Sequence, residues 1–280
     1  MKKQSARVFT LLLGTVLLTG AVFLIAVPPL TAATADQLSQ STIDAASQAF
    51  DSAEDIFQRI KELINEENDP NADEDAEPDM EEAERGLHEL EGYSDRLDEL
   101  LSDLSGLPDD LDSSEGKTVL AVKDYLIMLK DMSSDMIEGN RYGITLYTTV
   151  MAMTFSDDDY HDIASLADRI YTGAEEALSI MQQTTPPVFL EIAHEDLRVR
   201  IQEFKEFAED FKLAGEMEDW LRIYSCIYRM RRIEMVFTQC AENLGSDADL
   251  QIKQMEYRLN GPITLLHDEL SRNLDLLKTT

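Results

Sequence analysis

The chain predicts an all-α protein of six or seven soluble helices in an antiparallel, bundle-like arrangement, following one N-terminal hydrophobic helix. Three observations carry this. Apolar residues recur at three-, four- and seven-residue spacings over long stretches. Neither strand-like alternation nor a persuasive hairpin dipeptide occurs. Breaks between the periodic stretches coincide with Gly, Pro and Asp clusters. With 280 residues, 44% of them hydrophobic, the chain has enough apolar material for an ample core despite a formal charge of −32.

Residues 1–35 form the first segment. Lys2, Lys3 and Arg7 precede an uncharged run from Val8 to Val27, and Pro28-Pro29 end it. Twenty residues at about 1.5 Å rise reach about 30 Å, the thickness of the hydrocarbon layer. The expectation is a single-pass membrane protein anchored by this helix, with basic residues inside and the C-terminal part outside the cytoplasm. The alternative is a signal peptide cleaved after Ala35, since Ala33-Thr34-Ala35 has the small-x-small form, which would give a secreted product.

Two further divisions follow, 36–112 as an acidic helical hairpin and 113–280 as the main helical bundle. From Asp36 to Glu67 three adjacent stripes, Ala46/Ala53/Ile60, Ala49/Ile56/Leu63 and Phe50/Phe57/Ile64, make one broad apolar face. Asn68–Asp79 has two prolines and no large apolar residue, so it reads as a loop. Met80–Leu104 repeats the pattern through Leu90, Leu97 and Leu104. After Gly106-Leu107-Pro108, a long apolar helix is predicted from Lys117 to Phe155, kinked at Gly139 and Gly143. Asp157-Asp158-Asp159 is the predicted cap of a helix from Tyr160 to about Gln183.

Thr185-Pro186-Pro187 opens the next helix, whose inner stripe is Leu190/Leu197/Phe204/Phe211 with Ala193 and Phe207. Gly215 is read as its end. Glu216–Leu244 follows, and Gly245 starts the last helix, lined by Ile252/Leu259/Leu266 and Ile263/Leu270/Leu277 and kinked at Gly261-Pro262. Trp220–Cys240 is apolar around most of its circumference, which predicts a central helix.

A pI near 4.2 argues against nucleic acid as partner, because phosphate binding needs a clustered basic surface. Residues 66–116 hold 21 acids and two bases, so a solvated acidic face dominates there. Two cysteines exclude a disulfide-rich scaffold; Cys226 and Cys240 lie about 21 Å apart along one helix and read as buried free thiols.

Three groups of residues have the types and spacing that chemistry needs. Arg222, Arg229 and Arg232 share a sector of the Trp220–Cys240 helix, where they either pair internally with carboxylates or, with Tyr224 and Tyr228, line a pocket for a small anionic ligand. Glu191-Ile192-Ala193-His194 places an acid and a histidine on one helical face; it resembles half of the di-metal site of ferritin-like bundles and would make Glu191 and His194 metal ligands. The acidic loop from Asn71 to Glu82 resembles a calcium-binding EF-hand loop, with Ala76 where that loop needs glycine. No nucleophile elbow, phosphate-binding glycine loop or zinc motif occurs, and no cofactor is predicted.

The expected function is therefore a non-catalytic, extracytoplasmic binding or interaction module for a protein partner or small ligand, similar in architecture to the outer sensing bundles of chemoreceptors. The alternatives are a metal-binding bundle using Glu191 and His194, or a structural acidic surface protein.

Overall fold

The computed structural model describes residues 40–67, 80–105, 113–154 and 162–278. Among them the helices are α1 (Gln40–Glu67), α2 (Met80–Asp103), α3 (Ser114–Ala152), α4 (Ile163–Gln183), α5 (Glu191–Glu216), α6 (Trp220–Arg258) and α7 (Thr264–Lys278). The last two join through a π-helical turn, Leu259–Ile263. There is no strand among the described residues, and the all-α architecture stands.

The expectation of a single-pass membrane protein is corrected. Among the described residues no helix is long and apolar enough to cross a membrane. Even α3, with 39 residues, is punctuated by Lys117, Lys123, Asp124, Lys130, Asp131, Asp135, Glu138 and Arg141. The segment 8–27 on which that expectation rested lies outside the described residues, as do the Asn68–Asp79 loop, the Gly106-Leu107-Pro108 break and the Asp157–Asp159 cap.

The chain divides into two compact units, and α2 is shared between them at Glu84/Arg85. One holds α1, α2 from Arg85, α3 up to Ile137 and the C-terminal run from Ile252. Its core is the apolar face of α1: Ala46, Ala49, Phe50, Ala53, Ile56, Phe57, Ile60 and Ile64 are all buried. Phe50 and Phe57 stack on His267 (centroids 5.2 and 4.6 Å) and tilt against Tyr125. Glu54 meets His267 while Asp51 meets Lys278, so partners advance in opposite directions and α1 and α7 run antiparallel. At the π turn, Pro262 has no amide proton to donate, and the Thr264 hydroxyl donates to the Leu259 carbonyl at 2.6 Å. The kink expected at Gly261-Pro262 takes this form.

The other unit holds α3 from Glu138, α4, α5 and α6 up to Gln251. Asp162 caps α4 by accepting from the Ser165 amide at 2.8 Å, while Ser165 accepts from the Asp162 amide. Lys212 pairs with Asp168 and Lys205 with Glu175, so α4 and α5 are antiparallel. Glycine permits close approach here. A Cβ built on Gly173 would lie 2.4 Å from the Ala152 carbonyl oxygen, and one on Gly215 would lie 2.7 Å from Ile163 Cγ2. Gly215 is thus a contact residue as well as the mark of the break expected there: α5 ends one residue later, at Glu216. The break expected at Gly245 is also absent: α6 runs from Trp220 to Arg258 without interruption, and Gly245 is buried. Likewise α3 continues as helix through Gly139 and Gly143.

Candidate functional site

The α5–α6 hairpin assembles most of the residues singled out in the sequence. Its turn is a Schellman closure: the Asp219 amide donates to Ala214 O at 3.0 Å and the Glu218 amide to Gly215 O at 3.1 Å. Glu218 occupies the left-handed position with φ 51°, where glycine is the usual residue. Asp219 then caps α6, accepting from the Arg222 amide at 3.1 Å. This tight reversal lays α6 antiparallel on α5. Ile223, Cys226 and Ile233 enter a core with Phe207, Ala208, Phe211, Ala167 and Ile170.

Arg222 and Arg229 converge on one carboxylate, Asp210 of α5, at 3.4 and 2.6 Å. All three side chains are about half exposed, so the pairs are worth at most about 1 kcal/mol each. Further along, the Cys240 thiol donates to Asp196 at 2.9 Å, and Asp196 also accepts from Arg200. Burial, then the Asp196 carboxylate, pushes Cys240 up to about 12; burial also raises Cys226. Both thiols are free, buried and poorly ionised.

Tyr224 and Tyr228 are not drawn in with Arg222 and Arg229. They are 62% and 73% exposed and point away from Asp210, while the exposed Arg232 lies between them and Arg229, about 60° from Arg229 at 100° per residue. Of the five residues of the expected anion pocket, two are thus paired with Asp210 and three are exposed. The structure also separates Glu191 from His194. Glu191 is exposed, whereas His194 is buried, with its Nδ1 3.0 Å from the Tyr142 hydroxyl and a ring hydrogen bond to the Met181 backbone. Burial holds His194 below the ordinary histidine range, and the nearby Arg198 adds to this against the pull of Glu195. Among the described residues no group of three or more His, Cys, Asp or Glu is placed to hold a metal ion.

The outer face of α6 is what sequence reasoning missed. The helix was expected to be central, yet only about one side of it is buried. Trp220 (66% exposed), Leu221 (85%), Tyr224, Tyr228 and Met235 (67%) face solvent together with Arg231 and Arg232. At about 100° per residue these seven occupy one sector of roughly 120°, opposite Ile223, Cys226, Met230, Ile233 and Phe237. From Trp220 to Ala241 no carboxylate enters that sector; beyond it the exposed Glu242 and Asp249 return to the same line of the helix. Across Trp220–Ala241 there are four arginines and a single acid, Glu234, in a chain where 56 of 280 residues are acidic. Comparison of the chain with protein-family models, with curated proteins and with solved structures finds no match.

Proposed function

We propose that this protein is a non-catalytic helical interaction module that docks a protein partner through the outer face of α6. The observation that supports it is the exposed sector just described, carboxylate-free from Trp220 to Ala241. Trp, Tyr, Met and Arg are the residues enriched where proteins meet, and acids are the residues depleted there. At about 200 Å² per aromatic side chain, the exposed fractions of Trp220, Tyr224 and Tyr228 leave roughly 400 Å² open before Leu221 and Met235 are added. Contiguous patches of that size on a soluble surface are usually covered by something. The groups that could do chemistry are poorly disposed for it, since His194 is held neutral in the core and both thiols are raised.

Trp220 is the only tryptophan, so its fluorescence reports on this face without labelling. The full chain is titrated with a synthetic amphipathic helical peptide whose leucine stripe is flanked by glutamates. Trp220 emission should shift to the blue and become protected from acrylamide, and a Leu221→Ser/Tyr224→Ser variant should lose the response while keeping its thermal midpoint. Equal quenching at every peptide concentration, together with equal quenching of dilute and concentrated protein alone, would defeat this reading.

A further inference from the structure

Resting on that reading, we infer that the occupant of the α6 face is a second copy of this chain, its α6 laid antiparallel across a two-fold axis at Tyr228.

The order of residues along the face is self-complementary. A two-fold axis at Tyr228 sets Leu221 against Met235 and Met235 against Leu221. It sets Tyr224 against Arg232, with Arg231 one residue away, and Tyr228 against its own copy. Each apolar end thus meets an apolar end, Tyr224 meets a guanidinium in the favourable cation–π arrangement, and the two Tyr228 rings meet at the axis. The pattern repeats through the axis without leaving a charge opposite a like charge: Arg232 opposes Tyr224, and Arg231 opposes Ser225.

Charge points the same way. Two molecules of formal charge −32 repel at long range, and almost any other approach sets carboxylate against carboxylate. Over Trp220–Val236, the length that this two-fold overlays, the sector itself holds no acid; Glu234 borders it, and Glu242 and Asp249 lie beyond the overlap. Its size is also adequate. The open aromatic area, extended by Leu221, Met235 and the stems of Arg231 and Arg232, approaches the roughly 800 Å² per partner of a standard interface.

A heterologous acidic partner predicts a different response to salt. Docking of a glutamate-rich helix on Arg231 and Arg232 weakens as salt screens opposite charges. Self-association of two polyanions through an apolar, cation–π seam strengthens as salt screens their mutual repulsion. From about 0.1 to about 1 M NaCl the Debye length falls from about 10 Å to about 3 Å, which spans the contrast.

The test is sedimentation equilibrium of the full chain over a hundredfold concentration range, at both salt concentrations. The expected result is a reversible monomer–dimer equilibrium that tightens with salt. Tyr228→Asp places two carboxylates at the axis and should weaken the dimer more than about 100-fold. Ile192→Asp, a change at an 88% exposed residue of α5, should leave it unaltered. All of these positions are exposed, so circular dichroism and the thermal midpoint should match wild type. Geometry is read with a short bismaleimide: Tyr228→Cys should couple to itself, and Leu221→Cys should couple to Met235→Cys in a mixed sample but not to itself. The native cysteines are buried and stay silent.

A monomer at every concentration overturns the inference, as does association that Tyr228→Asp leaves intact or a Leu221→Cys protein that couples to itself. If the protein alone is monomeric while the acidic peptide still protects Trp220, the second copy is wrong and the docking face survives. Failure of both removes the docking face as well.

Discussion

Tyr142→Phe tests the packing of the α3–α5 contact directly. Tyr142 is 1% exposed and His194 7% exposed, with the hydroxyl 3.0 Å from Nδ1. The substitution removes one oxygen and leaves the ring, so no appreciable cavity opens. It does remove the donor to Nδ1, which stays buried, while the imidazole keeps its bond to the Met181 backbone. The lost hydrogen bond is worth about 1 kcal/mol, and an unsatisfied buried acceptor raises the total to about 1–3 kcal/mol. In urea, where the unfolding slope is on the order of 3 kcal/mol/M for a chain of this size, the midpoint should fall by roughly 0.3–1 M.

The pH dependence carries the sign of the argument. His194 is held below its ordinary value of 6.5, so the unfolded chain binds this proton more readily than the folded one. Its contribution to stability is full above pH 6.5 and is lost as pH falls from there through the folded value. Without the Tyr142 hydroxyl the neutral ring loses a partner, so the folded value moves up toward 6.5 and the slope of stability with pH becomes shallower. The penalty of Tyr142→Phe should therefore be larger at pH 8 than at pH 5. A variant that unfolds at the wild-type urea midpoint, or whose penalty grows on acidification, would refute the assignment of His194 as a neutral, hydrogen-bonded core residue.

Gly173→Ala should destabilise by about 1–3 kcal/mol, because its Cβ would fall 2.4 Å from a backbone oxygen that cannot rotate away; thermal unfolding measures it, and an unchanged midpoint would mean that α3 and α4 are not in this contact. Glu218→Gly should stabilise by up to about 1 kcal/mol, since glycine adopts the left-handed conformation without the Cβ penalty; urea unfolding decides, and a loss of stability would argue against the Schellman closure.

Core positions were legible wherever one face of a helix had to be dry and the other wet. In α1, eight of the nine stripe positions are buried and Leu63 is half-buried, because charged residues on the opposite side leave only one way to turn the helix. The inner line of α5 was equally readable: Leu190, Leu197 and Phe211 are buried, and Phe204 is half-buried between Phe207 and Phe237. Glycine was the poorer guide. Read as punctuation, Gly215 and Gly245 each cut a helix. The first does lie one residue from the end of α5, where the approach of Ile163 also requires it, but the second sits buried within an uninterrupted α6. Local sequence cannot distinguish a glycine that ends a helix from one that lets a neighbour come close, because the neighbour is remote in the chain. The actual stop, Glu218, has no left-handed propensity to announce it; the next core residues, Ala214 and Ile223, impose the reversal.

The site was harder to read for a related reason. Apolar residues all round α6 fit two situations equally: a helix surrounded by its own fold, or one half-covered and waiting for another surface. Counting hydrophobic residues cannot separate these, but the distribution of carboxylates can. A helix buried on every side excludes charges of both signs unless each is paired, whereas the outer sector of α6 from Trp220 to Ala241 lacks acids only and keeps Arg231 and Arg232. Arg222 and Arg229, which reach toward α5, already have Asp210. The asymmetry is thus between arginines that a neighbouring helix neutralises and arginines set among exposed aromatic rings. Only the second pair is free of the internal ion-pairing explanation, and only it lies where a tyrosine from another molecule could reach. That makes the discriminating residues Arg231 and Arg232, and it is why the response of association to salt, rather than the loss of any single contact, bears most directly on what covers this face.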